Sequence, residues 1–260
     1  MMIYQDKIAL ITGSASGGLG QTIAEDLAKE GASGIILTGR SSHGSDLAVN
    51  AVKQYGAEVL FVEADLSQAE DCNKLIKVVD KHFGRVDGLV NSAGHTHRGT
   101  IEHTTVEMWE MHMAVNLRAP FLLMQGCIKI MQREKIAGSI INILSTSAHG
   151  GQPILTPYVT SKGGLIALTK NVAHSQLKNR IRVNAILPGW MDTPGEHSIQ
   201  KEFHQAPDDW LEKAEATVPM GKLAQPKELA QLVTLILSDQ GGVMTGAVID
   251  YDQKVIGAFD

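Results

Sequence analysis

Short apolar runs alternate with longer amphipathic segments along the whole of this 260-residue chain. The runs at 7–12, 34–37, 58–62, 86–90, 139–144, 181–186 and 247–249 read as strands. The segments between them carry apolar residues at helical spacing. Ile23, Leu27 and Ala28 share one face of the first, and Leu75, Ile76 and Val79 share one face of a helix expected over 68–83. Further helices are expected over 44–55, 104–131, 157–177 and 226–237, and 188–220 reads as a polar, irregular stretch. The strands are apolar on both faces, the pattern of a parallel sheet covered on both sides by helices. The expectation is an α/β fold, a single doubly wound domain over 1–260 with about seven parallel strands. No linker, repeat or low-complexity tract divides it.

Bulk properties exclude several classes of function. Hydrophobic residues are 43% of the chain, enough for a sizeable core, and no run approaches the ~18 apolar residues that a membrane span needs. The net charge is −5 and no Lys/Arg cluster stands out, which argues against nucleic acid as a partner. Cys72 and Cys127 are far apart and neither has a CxxC neighbour, so reduced thiols in a cytoplasmic protein are expected. Residues 1–10 carry Asp6 and Lys7 without a long apolar run, unlike a signal peptide.

Two stretches carry chemistry. The first strand runs into Thr12-Gly13-Ser14-Ala15-Ser16-Gly17-Gly18-Leu19-Gly20. A Gly-rich turn between a strand and a helix aims backbone N–H groups and a positive helix end at one spot, which suits a pyrophosphate. The second stretch is Tyr158-Val159-Thr160-Ser161-Lys162. A phenol and an ammonium four residues apart share a helix face. A phenol that titrates near ~10 must have its phenolate stabilised to exchange protons near neutral pH, and a nearby cation supplies part of that.

Together these stretches resemble the short-chain dehydrogenase/reductase family, whose Rossmann-like pattern the chain matches over nearly its whole length. The family motif is Thr-Gly, three residues, Gly, one residue, Gly. Here Gly18-Leu19-Gly20 matches its close, and one extra residue lies within 14–17. The resemblance assigns cofactor contacts to Gly13, Ser14, Ser16, Gly18, Leu19 and Gly20. It assigns adenine-side contacts to Asp65-Leu66, with an N-cap role for Asp65 as the alternative, and close backbone approach to Asn91, Ala93 and Gly94 of an Asn-Ser-Ala-Gly motif. Pro188-Gly189-Trp190-Met191-Asp192-Thr193 resembles the family's Pro-Gly motif, in which Met191 and Thr193 would contact the nicotinamide carboxamide. The second strand ends Thr38-Gly39-Arg40-Ser41, with no acidic residue to accept from a ribose hydroxyl. Arg40 and Ser41 favour the 2′-phosphate of NADP, with NAD as the alternative.

The same resemblance implies a catalytic set of Asn116, Ser145, Tyr158 and Lys162. Tyr158 would be the proton-transfer residue, tuned by Lys162, which also holds the nicotinamide ribose. Ser145 would polarise the substrate oxygen and Asn116 would support a proton relay. Ser147 is a rival to Ser145 that falls two residues late. Substrate contacts are expected from His95, His97, Ser145, His149, Gln152, Tyr158 and Trp190, with a mobile lid within 190–220. Arg98, Glu196 and His197 add to a polar mouth, which leans the substrate toward a sugar or polyol. His95-Thr96-His97 lacks a third ligand for a metal. An epimerase or dehydratase, or a non-catalytic dinucleotide sensor, could use the same scaffold. The resemblance also implies a homotetramer, to which the atypical tail after Val248 could contribute.

Overall fold

The computed structural model describes residues 2–15, 17–42 and 45–255. Its strands are β1 (Ile8–Ile11), β2 (Gly34–Gly39), β3 (Glu58–Glu63), β4 (Gly88–Asn91), β5 (Ser139–Ile143), β6 (Arg182–Pro188) and β7 (Val248–Tyr251). They form one parallel sheet in the order β3-β2-β1-β4-β5-β6-β7. The chain builds outward from β1 to β3, then returns and builds the other half from β4. The crevice at that reversal is where open parallel sheets bind ligands, at the carboxyl ends of the strands.

Helices α1 (Leu19–Lys29), α2 (Ser45–Lys53), α3 (Ala69–Phe83), α4 (Val106–Met113), α5 (Ala119–Arg133), α6 (Thr156–Ser175), α7 (Pro194–Glu202), α8 (Trp210–Glu215) and α9 (Pro226–Leu237) accompany the sheet. Alternating residues of β1 feed two cores. Ile8 and Leu10 join Leu75, Val79, Leu123 and Leu165 of α3, α5 and α6. Ala9 and Ile11 join Ile23, Leu27, Leu229 and Val233 of α1 and α9 on the opposite face. That is why β1 is buried at every position, and why its sequence shows no polar alternation. Cys72 and Cys127 are free thiols within the first core. Among the described residues no helix is long and apolar enough to cross a membrane.

Two expected elements differ from the structure. The helix expected over 104–131 is α4, a π-helical turn at Ala114–Arg118, and α5. Pro120 lies four residues after Asn116, so it cannot donate to the Asn116 carbonyl and its ring crowds that carbonyl. The wider turn relieves the clash, and such bulges favour functional positions. The stretch 188–220 is not irregular. The Thr193 hydroxyl accepts from Glu196 N at 3.1 Å and Pro194 opens α7, so this part of the stretch is a capped helix start. Trp210, Ala214 and Leu223 then bury a small third core beneath α8.

Candidate active site

The carboxyl ends of the strands open on a cleft of about 1460 Å³ that runs from the Gly-rich turn to Tyr158. The turn approaches its neighbours closely. Gly13 has φ +65°, and a Cβ there would lie 2.8 Å from Ala93 Cα. A Cβ on Gly20 would lie 2.5 Å from the Gly13 carbonyl oxygen. The Thr12 hydroxyl accepts from both Ser92 N and Ala93 N at 3.0 Å, which ties the turn to the end of β4. Gly18, the N-cap of α1, has open space where a side chain would be, and no side chain caps the helix. The positive end of α1 therefore faces the cleft, where a pyrophosphate fits.

Most of the expected cofactor residues line this cleft: Gly13, Gly18, Leu19 and Gly20 at one end, and Pro188, Gly189, Met191 and Thr193 at the other. Arg40, Ser41, Asp65, Leu66, Ala93 and Gly94 lie between. Two do not reach it. Ser14 is buried, donating to Ile11 O at 2.8 Å and accepting from Thr38 N at 3.1 Å, so it staples β1 to β2. Asn91 donates to Asn142 Oδ1 at 2.8 Å, and Asn142 donates to Thr169 at 2.9 Å, a polar chain inside the core. The partners of both side chains are remote in sequence. Ser16 lies outside the described residues. Asp65 accepts from Ser67 N at 2.9 Å, a turn contact rather than the cap of α3, whose N-cap is Gln68.

The expected catalytic residues converge. Ser145 lies two residues after β5, and its hydroxyl shares a hydrogen bond of 2.7 Å with Ser147. Tyr158 and Lys162 project from α6, with the ammonium 5.7 Å from the phenol ring centre. Lys162 Nζ donates to Ile143 O at 2.8 Å. Asn116, in the π-helical turn, accepts from His95 N at 2.8 Å and donates to His95 O at 2.9 Å and to the Ser161 hydroxyl at 3.0 Å. Ser161 in turn donates to Tyr158 O at 2.7 Å. Asn116 thus anchors both the loop after Gly94 and the turn of α6 that carries Tyr158. Ser147, weighed as a rival to Ser145, is instead its hydrogen-bond partner, while Thr12 and Ser161 escaped the sequence reading as site residues, although Ser161 lies one helical turn after Tyr158 and could have been sought there.

The electrostatics differ from expectation. Burial pushes the Tyr158 phenol above its ordinary value, offset in part by the Ser145 hydroxyl and the Arg98 charge, while the Glu196 carboxylate adds to the rise. Lys162 is not among the groups that lower it. Burial instead brings the Lys162 ammonium down to about 8. At neutral pH the phenol holds its proton beside a hydroxyl partner, which suits proton donation.

His95, His97, Gln152 and Trp190 line the substrate end of the cleft. His149 does not. Its Nε2 meets Asp250 Oδ1 at 2.8 Å, drawn to the unusual carboxylate of β7. The His95 and His97 rings stack at 4.5 Å, and His112 meets His95 edge-on at 4.6 Å. Burial first, then the His112 and His97 charges, brings His95 down to about 4, so it is a neutral wall. The Trp190 indole N–H donates to Glu196 at 2.8 Å, and its ring stacks on Trp210 at 6.2 Å. Asp252, which sequence reasoning left in the tail, also lines the cleft and packs over Gly189.

The family model described as enoyl-(acyl carrier protein) reductase matches residues 13–253. The chain is similar to glucose 1-dehydrogenase 2 of Bacillus subtilis, 31% identical over 254 residues that cover 96% of each protein. It is as similar to 3-oxoacyl-(acyl-carrier-protein) reductase of Thermotoga maritima, 31% identical over 255 residues, 98% of this chain and 100% of that one. The crystal structure of L-sorbose reductase from Gluconobacter frateurii, complexed with NADPH and L-sorbose, matches with a TM-score of 0.92 and 30% identity over 99% of both chains.

Proposed function

The chain belongs to the short-chain dehydrogenase/reductase family of NAD(P)-dependent oxidoreductases, and from that premise we propose that it interconverts an alcohol and a carbonyl on a hydroxylated substrate, using NADP in preference to NAD. The observation that carries the reaction is Tyr158 in the cleft between the Ser145 hydroxyl and the buried Lys162. When bound, the nicotinamide supplies or accepts the hydride at the carbon that bears the reacting oxygen. Tyr158 gives its phenol proton to the carbonyl oxygen in reduction and takes the hydroxyl proton in oxidation. Ser145 donates to that oxygen and steadies the negative charge it gathers. Lys162 holds a positive charge close behind the phenol, and Asn116 holds the turn that positions both.

The NADP preference rests on the end of β2. Gly39 offers no carboxylate, a Cβ there would lie 2.7 Å from Ala15 Cβ, and Arg40 and Ser41 follow on the cleft wall. The hydroxylated substrate rests on the polar mouth of His95, His97, Gln152 and Glu196, and L-sorbose in the similar reductase is of that kind. We take α7 and α8 as the lid over that mouth, and a cytoplasmic homotetramer as the working assembly on the family resemblance. The test is a panel of sugars, polyols, small ketones and apolar ketones, assayed at the reduced-cofactor absorbance band with NAD and with NADP. Turnover of sugars or polyols with NADP is expected. Turnover of apolar substrates alone overturns the hydroxylated reading. Substrate conversion without net absorbance change would mark an epimerase or dehydratase.

A further inference from the structure

Arg98 stands where the loop after Gly94 meets the residues following α7, and it lines the substrate end of the cleft. Its guanidinium is placed but not neutralised. Nη1 donates to Thr96 O at 2.9 Å and Nη2 lies 3.4 Å from His204 Nε2, and neither partner is an anion. Nε is buried with no hydrogen-bond partner, and among the described residues Arg98 makes no ion pair. A guanidinium is always charged, and a part-buried charge without a counterion is costly. Such an arrangement persists where a ligand brings the anion.

Across the same space Glu196 is held by the Trp190 indole and by Gln200 Nε2 at 2.7 Å. Arg98 and Glu196 both act on the Tyr158 phenol, with opposite signs, so the reacting oxygen sits under the influence of both. A ligand that satisfies the two must offer an oxyanion to one side and hydroxyl donors to the other. The geometry points to a carboxylate-bearing polyhydroxylated substrate, a sugar acid or its oxo form, whose carboxylate is bound by Arg98 and whose free hydroxyls face Glu196. This rests on the hydroxylated-substrate reading above and narrows it. A carboxylate brings a full charge and two acceptor oxygens to the Nη protons that Thr96 and His204 leave over, which a neutral hydroxyl does not match.

The experiment compares three arms with NADP on the intact enzyme: aldonates and uronates, neutral alditols and aldoses of the same length, and sugar phosphates. The carboxylate arm is expected to lead in kcat/KM by about tenfold or more, as a charge-assisted hydrogen bond in place of a neutral one implies. Arg98→Gln should lower kcat/KM for carboxylates about 30-fold, mostly through KM, and about tenfold more than for neutral substrates, whose smaller loss reports the Arg98 charge on the Tyr158 phenol. Arg98→Lys should recover part of that loss. NADPH affinity, read by quenching of protein fluorescence, should stay within about twofold in both variants, which separates lost recognition from lost folding. A wild-type preference for neutral substrates or phosphates, or an equal loss in all arms in Arg98→Gln, overturns the assignment and leaves the hydroxylated reading standing. No turnover in any of the three arms removes that reading, and this inference with it.

Discussion

Tyr158 works against its surroundings. Burial raises its phenol, and the Ser145 hydroxyl and Arg98 charge only partly compensate. Carbonyl reduction, which needs the protonated phenol, should therefore hold its rate across neutral pH, while alcohol oxidation should climb as pH rises through the alkaline range. Ser145→Ala removes a group that lowers the phenol. Its oxidation profile should shift to higher pH as well as lose rate, which pH profiles of kcat/KM would show. Tyr158→Phe should cut kcat by about 10²–10⁴ while NADPH affinity is kept, the loss expected of a missing proton donor. Lys162 has a separate signature in stability. It is 3% exposed, and burial holds it at about 8 in the folded chain against roughly 10.4 unfolded. Below pH 8 it is charged in both states and the cost of burying the charge is present in full. Between those values the unfolded state binds more protons, so stability rises with pH. Relative to Lys162→Met, the wild type should gain up to about 3 kcal/mol from pH 8 to pH 10.4 in denaturant titrations. A flat difference over that range would show that the ammonium is not held at the depressed value.

Among the elements, the turn between β1 and α1 decides more than its glycines suggest. The family pattern has one residue fewer, and the longer turn sets Ala15 Cβ on Gly39, where a side chain would begin 2.7 Å away. Gly39→Asp, the simplest change toward NAD, should therefore fail to convert the preference and should lower the melting temperature. Adding Ala15→Gly should relieve the clash and let the carboxylate select NAD, a coupling readable from a double-mutant cycle on kcat/KM for each cofactor. No spacing rule exposes that contact, because Ala15 and Gly39 meet only once β1 and β2 are paired. The sheet itself was readable, since each strand buries both faces and leaves an unbroken apolar run. The bend at Asn116 has its cause in Pro120, four residues on, which forces the π-helical turn. The α7 helix was hidden inside the stretch read as polar and irregular, although Thr193 caps its first turn and proline suits its start. The side-chain partners of Ser14 and Asn91 were hidden for the same reason as the Ala15 contact, since Thr38 and Asn142 are neighbours in space alone.

At the scale of the whole molecule, β7 joins parts of the cleft that the chain order keeps apart. It is the last strand at one edge, held to β6 from Val248 to Tyr251, and its end reaches three walls of the site. Asp250 holds His149, in the segment after Ser145. Asp252 packs over Gly189 at the end of β6. Gln253 clamps the segment after α8, accepting from Met220 N at 2.7 Å and donating to Lys222 O at 2.6 Å. Thr217 and Val218, just ahead of that clamp, line the cleft, so the turn after β7 fixes where one substrate wall stands. Two hydrogen bonds of this kind contribute about 1 kcal/mol each. Gln253→Ala should leave β7 paired, because the ladder to β6 does not use the side chain. It should speed amide exchange across 217–222, by about 30-fold for a local opening that becomes about 2 kcal/mol easier. The substrate KM should rise, because the wall must then be ordered when substrate binds, while NADPH affinity should change little, because the Gly-rich turn lies at the far end of the cleft. Exchange mass spectrometry and steady-state kinetics on the same variant decide it. Faster exchange spread over the β6–β7 ladder would mean that Gln253 supports the sheet edge, and unchanged exchange at 217–222 would mean that the third core alone holds that wall.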